Sequence, residues 1–300
     1  MTRFVLAEDV IGKKKVLKSG VRTIVSDFAA TMKIRTFQEL LFVIHTQTEK
    51  NVLSAKPQQL AEQLLQSDLL QLLTETHKGD MPFYFRIGVS GSMALEERSA
   101  FAKRTASAIE EAFDRKLINS TSHYEIEIRL LQNREGGFVP LLKLYTLPDH
   151  RFDYRRYYVA ASMKPTMAAG LMALAKPYLK EHAQILDPFC GVGTLLMERR
   201  FLVPARNAYG IDSFGEAIEK ARVNSKIAGM QTNYINRDYF DFVHDYKFDE
   251  IVTDLPAGNL TKPELDVLYR RFFEKSEEVL ANDGRMIFFS REMGLVKKQL

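Results

Sequence analysis

The chain has 300 residues, a length that favours about two domains at roughly 100–200 residues each. Its residues are 46% hydrophobic and 27% charged, a globular mixture that excludes collagen, coiled coils and wholesale disorder. The net charge of +4 permits an anionic partner without requiring one.

The longest apolar runs fall short of the ~20 residues that a membrane span needs, and the charged N-terminus lacks the apolar centre of a signal peptide. The single cysteine, Cys190, is unable to form an internal disulfide or a cysteine-based zinc site. We therefore expect a cytoplasmic protein with no membrane contact. The histidines show no ligand spacing, so we expect no metal site.

The N-terminal half alternates short strands with helices. The hydrophobic periodicity predicts core elements over 21–28 and 40–44, helices over 59–73 and 95–117, and strands over 83–89, 124–130 and 141–145. This half concentrates no catalytic residues, which is typical of a binding or spacing domain.

The C-terminal half is a regular alternation of strands and helices. Its pattern predicts strands over 184–186, 208–211, 234–235, 250–252 and 285–290, with helices over 166–179, 194–201, 214–228 and 263–281. Such alternation indicates a parallel sheet with crossover helices. Ligands bind beyond the carboxyl ends of the strands in sheets of this kind.

A glycine-containing turn follows the first of these strands, at 187–194. Gly191 and Gly193 let the backbone approach a ligand closely, and Thr194 opens a helix whose free N–H groups suit a negative group. An ordinary tight turn is the alternative reading. A dinucleotide-binding loop would have a third glycine where Leu196 stands, and no lysine follows to make a phosphate-binding P-loop.

Acidic residues follow the next strands. Asp212 lies nineteen residues after Gly193, the spacing that brings an acid beside a bound ribose, although a helix N-cap explains it equally. Asp238 follows the third strand and suits an adenine amine or a plain turn. Asp254 ends the fourth strand, and Pro256 leaves nearby carbonyls available as acceptors.

Three segments together resemble a known family. D-P-F-C-G-V-G-T at 187–194, G-I-D at 210–212 and D-L-P-A-G at 254–258 resemble S-adenosylmethionine-dependent methyltransferases, in particular those that methylate exocyclic base amines. The upstream segments 83–92, 123–131 and 151–172 resemble a THUMP domain and its junction to such a methyltransferase. The resemblance covers roughly residues 60–300, and residues 1–59 more weakly.

The resemblance implies an α/β architecture. We expect a Rossmann-like class I methyltransferase sheet, preceded by an α+β THUMP-like domain and a small ferredoxin-like N-terminal piece. The implied domains are a ferredoxin-like subdomain at 1–58, a THUMP-like RNA-binding domain at 59–147, a linker at 148–165 and a methyltransferase domain at 166–300. Five strands are accounted for by Ser290, so we expect the family's closing C-terminal hairpin to be missing from this sequence.

The implied activity is methylation of RNA with S-adenosylmethionine as the cofactor, forming N2-methylguanosine in tRNA. Ribosomal RNA, DNA or another substrate remains open, as does a non-catalytic RNA-binding or assembly protein that keeps the fold. A small activator subunit is also left open.

The resemblance also assigns roles to residues. The implied cofactor-binding residues are Asp187, Cys190, Gly191, Gly193, Thr194, Asp212 for the ribose, Asp238 and Tyr239 near the adenine, and Thr166 toward the methionine end. Asp254 and the Pro256 carbonyl are the candidate catalytic acceptors. The candidate RNA-binding residues are Arg151, Arg155, Arg156 and Tyr157, which mix cations with stacking rings, although a solvated, aromatic-packed linker fits them as well.

One position departs from the family pattern. Ala257 stands where the family has an aromatic residue after the proline. Stacking of a base on such a ring is worth ~1–3 kcal/mol. The departure keeps the non-catalytic alternative open, and the alternative sources of a ring are Tyr239, Phe240 or a residue beyond the chain end.

Overall fold

The computed structural model describes residues 11–16, 21–25, 27–258 and 260–300, and they fall into two compact units. One unit comprises residues up to 38 together with 150–300, and the other comprises 39–149. No helix of the described part is long and apolar enough to cross a bilayer.

The strands are β1 (Ile11–Val16), β2 (Val21–Val25), β3 (Phe42–Val43), β4 (Phe83–Ser90), β5 (Leu117–Asn119), β6 (Ile126–Gln132), β7 (Phe138–Leu144), β8 (Ala183–Asp187), β9 (Ala205–Asp212), β10 (Asn233–Asn236), β11 (Phe248–Asp254) and β12 (Leu280–Phe289). The α-helices are α1 (Phe28–Thr31), α2 (Pro57–Leu65), α3 (Leu69–Thr76), α4 (Leu95–Ala112), α5 (Pro165–Ala175), α6 (Thr194–Leu202), α7 (Gly215–Ile227), α8 (Lys262–Val279) and α9 (Met293–Gln299).

The unit 39–149 is a five-stranded mixed sheet of order β3-β7-β6-β4-β5 with helices packed against it. Two helix predictions need correction. The predicted helix over 59–73 is two helices, because the Ser67 hydroxyl bonds the Leu64 carbonyl at 2.5 Å and ends the first one. The predicted helix over 95–117 ends at Ala112, because Asp114 and Arg115 take positive φ and Leu117 opens β5.

The boundary of this unit differs from the predicted one at 58/59. Phe42–Val43 pairs with β7, and Leu53 exchanges backbone hydrogen bonds of 2.7 and 3.0 Å with Phe138. Residues 39–58 therefore share the core of the following segment. The rest of the predicted ferredoxin-like piece contains residues 1–10 and 17–20, which lie outside the described residues. The hairpin of β1 and β2 is antiparallel.

The other unit contains the predicted parallel sheet, which is confirmed with the order β10-β9-β8-β11-β12. Each strand overlaps one predicted from sequence, with ends that differ by one to five residues. The central strand β8 is buried along its whole length, as a strand covered on both faces must be. All five carboxyl ends face one edge, so the segments after Asp187, Asp212, Asn236 and Asp254 meet there.

A buried ion pair joins this sheet to the helix after its central strand. Arg199 of α6 and Glu250 of β11 have fully buried side chains, and the guanidinium donates to both carboxylate oxygens at 2.9–3.0 Å. The Lys180 carbonyl accepts a further bond of 2.7 Å from Arg199. Both charges are thus satisfied inside the protein, which is the condition for a buried pair to be tolerated.

Replacing one partner of this pair should be severely destabilising. We expect Arg199→Leu to lower the free energy of unfolding by ~3–5 kcal/mol, because Glu250 keeps a buried and unpaired charge. The measurement is urea-induced unfolding. Arg270→Ala is the control, because Arg270 pairs with Asp266 on the exposed face of α8 and should matter far less. Equal effects of the two changes would contradict a structural role for the buried pair.

Candidate active site at the carboxyl edge of the parallel sheet

The glycine-containing turn between β8 and α6 forms the floor of the site. Gly191 and Gly193 take φ values of +52° and +78°, which strain any residue with a Cβ. A Cβ on Gly193 would lie 2.2 Å from the Tyr234 hydroxyl, so a side chain at that position would require Tyr234 to shift. A Cβ on Gly191 would meet nothing within 4 Å, so open space lies in front of the loop there.

Asp212 fixes this loop from the neighbouring strand. Its carboxylate accepts a 2.8 Å bond from the Gly191 backbone N–H through one oxygen and a 2.8 Å bond from the Phe214 N–H through the other. The alternative of an α7 N-cap does not hold, because Phe214 occupies that position. Phe214 itself is 51% exposed at this edge, and its ring is a feature that sequence reasoning missed.

Asp187, the last residue of β8, is 1% exposed. Its Oδ1 accepts bonds from the Thr253 hydroxyl at 2.7 Å and from the Phe189 N–H at 3.1 Å. Burial raises the pKa of Asp187 to about 7, and the nearby Asp212 and Asp254 carboxylates add to the effect while the two hydrogen bonds oppose it. This carboxyl is therefore poised between its two protonation states near neutral pH.

Asp254 is half-buried at the end of β11. Burial raises the pKa of its carboxyl, and the charge of Arg291 opposes the shift. The Pro256 carbonyl accepts a 2.9 Å bond from the Tyr269 hydroxyl, which leaves one of its two lone pairs available. Ala257 is half-buried beside it.

Cys190 and Thr194 are buried residues of the loop and of the helix start that follows it. Cys190 is 6% exposed and packs in the core with Ile185 and Tyr234. Burial raises the pKa of its thiol well above the ordinary range, so the sulfur stays protonated and is a poor nucleophile. Thr194 begins α6 with a buried hydroxyl that has no hydrogen-bond partner among the described residues.

The structure corrects one residue near the third strand. Tyr239 is 1% exposed and packs on Phe189 and Phe272 with its hydroxyl 3.3 Å from that of Ser276, so it is a core residue. Asp238 is exposed, and its carboxylate accepts a 3.0 Å bond from the Phe240 N–H. Asp238 therefore stabilises this turn, and its side chain remains exposed to solvent.

Thr166 occupies a different part of the same unit. It is half-buried in the first turn of α5, which begins at Pro165 after Lys164 as the N-cap. The proline supplies the fixed φ that favours a helix start. No hydrogen bond joins Thr166 to the glycine loop among the described contacts, so its predicted role stays a prediction.

The junction residues divide into buried and exposed ones. Arg151 is 7% exposed and donates to the Ile34 and Phe37 carbonyls at 2.6 and 3.0 Å. The prediction that it contacts RNA is therefore corrected: its side chain holds two backbone segments of the protein together. Arg155 is half-buried and donates to the Met163 carbonyl at 3.3 Å. Arg156 is exposed, as are the neighbouring tyrosines: Tyr157 (46%) and Tyr158 (65%).

Two buried polar residues that sequence reasoning missed hold this junction in place. The Asn224 amide of α7 bonds the Tyr157 backbone N–H and carbonyl at 3.0 and 2.8 Å and reaches the Val192 carbonyl in the glycine loop at 3.5 Å. Glu198 of α6 accepts bonds from Arg35 at 2.7 and 2.9 Å and from Tyr154 at 2.6 Å. A polar residue on the buried face of each amphipathic helix was the available signal.

The rim of the site is acidic. Among the described residues, no group of three or more histidine, cysteine or acidic side chains is arranged to hold a metal ion. What the edge offers is an open glycine loop, a carboxylate fixed on each side of it, and a half-buried carboxyl at the end of β11. This arrangement suits a ligand with hydroxyl or cationic groups beside a second, proton-bearing molecule.

Comparison with known proteins shows that this unit is similar to methyltransferases. Residues 153–299 match the family described as UPF0020, RMKL-like, methyltransferase domain. A tRNA (guanine(10)-N2)-dimethyltransferase of Methanothermobacter thermautotrophicus is 31% identical over 156 residues, which are 49% of this chain and 45% of that protein. The U6 snRNA (guanine-N(2))-methyltransferase THUMPD2 of Bos taurus is 24% identical over 240 residues, which are 77% of this chain and 45% of that protein. The chain thus spans about half the length of the curated relatives it matches.

Solved structures confirm the α/β part of the predicted fold class, the Rossmann-like parallel sheet. TrmN from Thermus thermophilus matches with a TM-score of 0.68 and 20% identity over 94% of this chain and 81% of that one. A putative methyltransferase complexed with SAH matches with a TM-score of 0.69 and 16% identity, covering 95% of this chain and 85% of that one. The chain has the α/β fold of these methyltransferases.

The close approach of Gly193 to Tyr234 yields a direct test. We expect Gly193→Ala to lower the free energy of unfolding more than Gly191→Ala does. Both substitutions carry the ~1–3 kcal/mol strain of a positive φ, whereas the first also meets the Tyr234 hydroxyl. Chemical denaturation of the single variants, and of Gly193→Ala combined with Tyr234→Phe, measures the difference. If Gly193→Ala lowers the free energy of unfolding by the same amount with and without Tyr234→Phe, the contact with the Tyr234 hydroxyl is unimportant.

Proposed function

We propose that the chain is an S-adenosylmethionine-dependent RNA methyltransferase that acts on N2 of a guanosine in tRNA. The observation that carries this proposal is the meeting of the glycine loop, the fixed Asp212 and the half-buried Asp254 at one edge of the sheet. The guanine-N2 specificity in the names of the matched relatives supports the choice of substrate. A reducing cytoplasmic location belongs to the proposal and rests on the single buried Cys190.

The residues of the loop fit this cofactor. The open space before Gly191 leaves room for a ligand beside the backbone, and the buried Thr194 hydroxyl lacks a partner among the described residues. Asp212 is placed to accept ribose hydroxyls, and Asp187 offers a carboxylate to a cationic ligand. The cofactor, when bound, supplies a methyl group already activated by its sulfonium.

The remaining task of the protein is to place and deprotonate the acceptor amine. The N2 lone pair of guanine is delocalised into the ring, and an acceptor bonded to its N–H groups localises that pair. Asp254 and the free lone pair of the Pro256 carbonyl are the acceptors at the end of β11. Burial raises the pKa of Asp254, which improves its capacity to take the proton released on transfer.

RNA is the proposed partner, and the junction is the proposed contact on the methyltransferase unit. Arg156, Tyr157 and Tyr158 are exposed, and they combine a cation with rings on which bases stack. Asn224 fixes the backbone of Tyr157 beside the glycine loop. A THUMP-like RNA-binding role for the unit 39–149 stays part of the proposal, supported by the resemblance of its strand segments.

Ala257 favours one alternative, a non-catalytic RNA-binding protein with the same fold. The side chain next to Pro256 ends at Cβ and offers no ring for stacking a target base. The two functions differ in their products, because an RNA-binding protein leaves the nucleosides unchanged.

Cofactor binding is the first test. Isothermal titration of the protein with S-adenosylmethionine should show binding, and Asp212→Ala should weaken it at least tenfold, about 1.4 kcal/mol. The reason is that the variant loses both the acceptor for ligand hydroxyls and the bond that fixes Gly191. Asp245→Ala, an exposed acid away from the edge, is the control and should bind as the wild type does. Absence of binding by the wild type would refute the cofactor assignment.

Product analysis separates the enzyme from the alternative. Incubation with S-adenosylmethionine and total tRNA, followed by nucleoside mass spectrometry, should yield N2-methylguanosine. Asp254→Ala should lower the rate by about 10²–10⁴-fold, the usual worth of a general base, while cofactor binding persists. Tight RNA binding by the wild type without any methylated nucleoside would favour the non-catalytic function.

A further inference from the structure

A buried hydrogen bond connects the two halves of the site. The Thr253 hydroxyl donates to Oδ1 of Asp187 at 2.7 Å, and the side chains are 0% and 1% exposed. Thr253 belongs to β11 and immediately precedes Asp254, whereas Asp187 ends β8 at the start of the glycine loop. The bond therefore joins the strand of the acceptor residue to the loop of the cofactor.

This donor acts on a carboxyl that is otherwise in an unfavourable environment. Asp187 faces Asp212 from the end of β9 and Asp254 from the end of β11, and both add negative charge. Cys190 in the loop and Tyr234 on β10 also face it, but burial raises the pKa of each, so neither carries charge near neutral pH. Among the described residues, two hydrogen bonds favour the ionised form, one from the Phe189 N–H and one from the Thr253 hydroxyl.

We propose that Thr253 is a positioning residue whose hydroxyl keeps Asp187 oriented and ionised, and thereby sets the pH range in which the cofactor binds. This inference rests on the cofactor part of the proposed function. A hydroxyl that donates to a carboxylate stabilises the charged form, because a protonated carboxyl is the weaker acceptor. A cationic cofactor likewise favours the ionised Asp187, so the donor and the ligand act in the same direction.

The direction of the pH dependence follows from the ionisation of Asp187. Burial raises the pKa of Asp187 to about 7, so the carboxyl ionises as the pH rises through neutrality. Affinity for a cationic cofactor should increase over the same range. Loss of the Thr253 hydroxyl removes one of the two donors, which raises the pKa further and moves the increase in affinity to higher pH.

The test measures cofactor binding as a function of pH. S-adenosylmethionine is titrated into wild type, Thr253→Val and Thr253→Ser between about pH 6 and pH 8.5, the range that spans the ionisation. We expect the midpoint for Thr253→Val to lie about one pH unit above that of the wild type. Thr253→Ser keeps the donor and should restore the midpoint.

Three controls isolate the proposed effect. Thr105→Val makes the same change at a buried threonine of the unit 39–149 whose hydroxyl has no partner among the described residues, and it should leave the profile unchanged. The neutral analogue 5′-methylthioadenosine should show a smaller shift than S-adenosylmethionine in Thr253→Val. Thermal unfolding of each variant shows whether the fold is intact.

The outcomes are distinct. A wild type that fails to bind S-adenosylmethionine refutes the proposed function itself, and with it this inference. A wild type that binds while Thr253→Val is folded and keeps the wild-type midpoint overturns the inference alone. Equal loss of affinity at every pH, in both Thr253→Val and Thr253→Ser, assigns Thr253 a packing role and also overturns it.

Discussion

The strand order of the parallel sheet is the constraint on which the site depends. With β8 in the centre, the ends of β9 and β11 lie on either side of it, and all three strands end in aspartate. Carboxylates brought together in a partly desolvated site repel one another, and each needs hydrogen-bond donors to stay ionised. The loop supplies them: Gly191 donates to Asp212, and Phe189 donates to Asp187. The shape of the loop and the charge of the edge therefore stabilise each other.

A buried side chain also connects the glycine loop to the junction that precedes the sheet. Asn224 bonds the backbone of Tyr157 in both directions and also reaches the Val192 carbonyl of the glycine loop. A buried amide satisfied in this way fixes both segments, because leaving either backbone group unpaired costs roughly 1–3 kcal/mol. The exposed rings of the junction are thus carried by a backbone that is hydrogen-bonded to the proposed cofactor site, so the proposed RNA contact and the proposed cofactor site share one support.

Sequence reasoning predicted what depends on local pattern. The alternation of apolar runs located every strand of the parallel sheet, and spacing brought Asp212 to the loop as expected. It was wrong where the deciding partner lies far along the chain. Tyr239 is in the core because it packs against Phe272 of α8 and its hydroxyl lies beside that of Ser276. Arg151 is buried because its guanidinium donates hydrogen bonds to the Ile34 and Phe37 carbonyls. The helix predicted over 59–73 is two helices because the Ser67 hydroxyl bonds the Leu64 carbonyl and the Asp68 carboxylate accepts a bond from the His45 N–H. The hydrophobic periodicity does not reveal these bonds.

The departure at Ala257 gains meaning from the separation of two tasks at the end of β11. In the proposed reaction, accepting a proton depends on Asp254, whose burial is set by the sheet, and on the Pro256 carbonyl, which accepts a hydrogen bond from Tyr269 of α8. Stacking a base depends on a flat group beside them. Replacing a ring by Ala257 removes only the second, which is worth ~1–3 kcal/mol per base. Arg291 lies close enough to influence Asp254, and a guanidinium plane also stacks on bases. Within the proposed function, Ala257 thus leaves the candidate acceptors Asp254 and Pro256 in place and changes only the surface on which a base would stack.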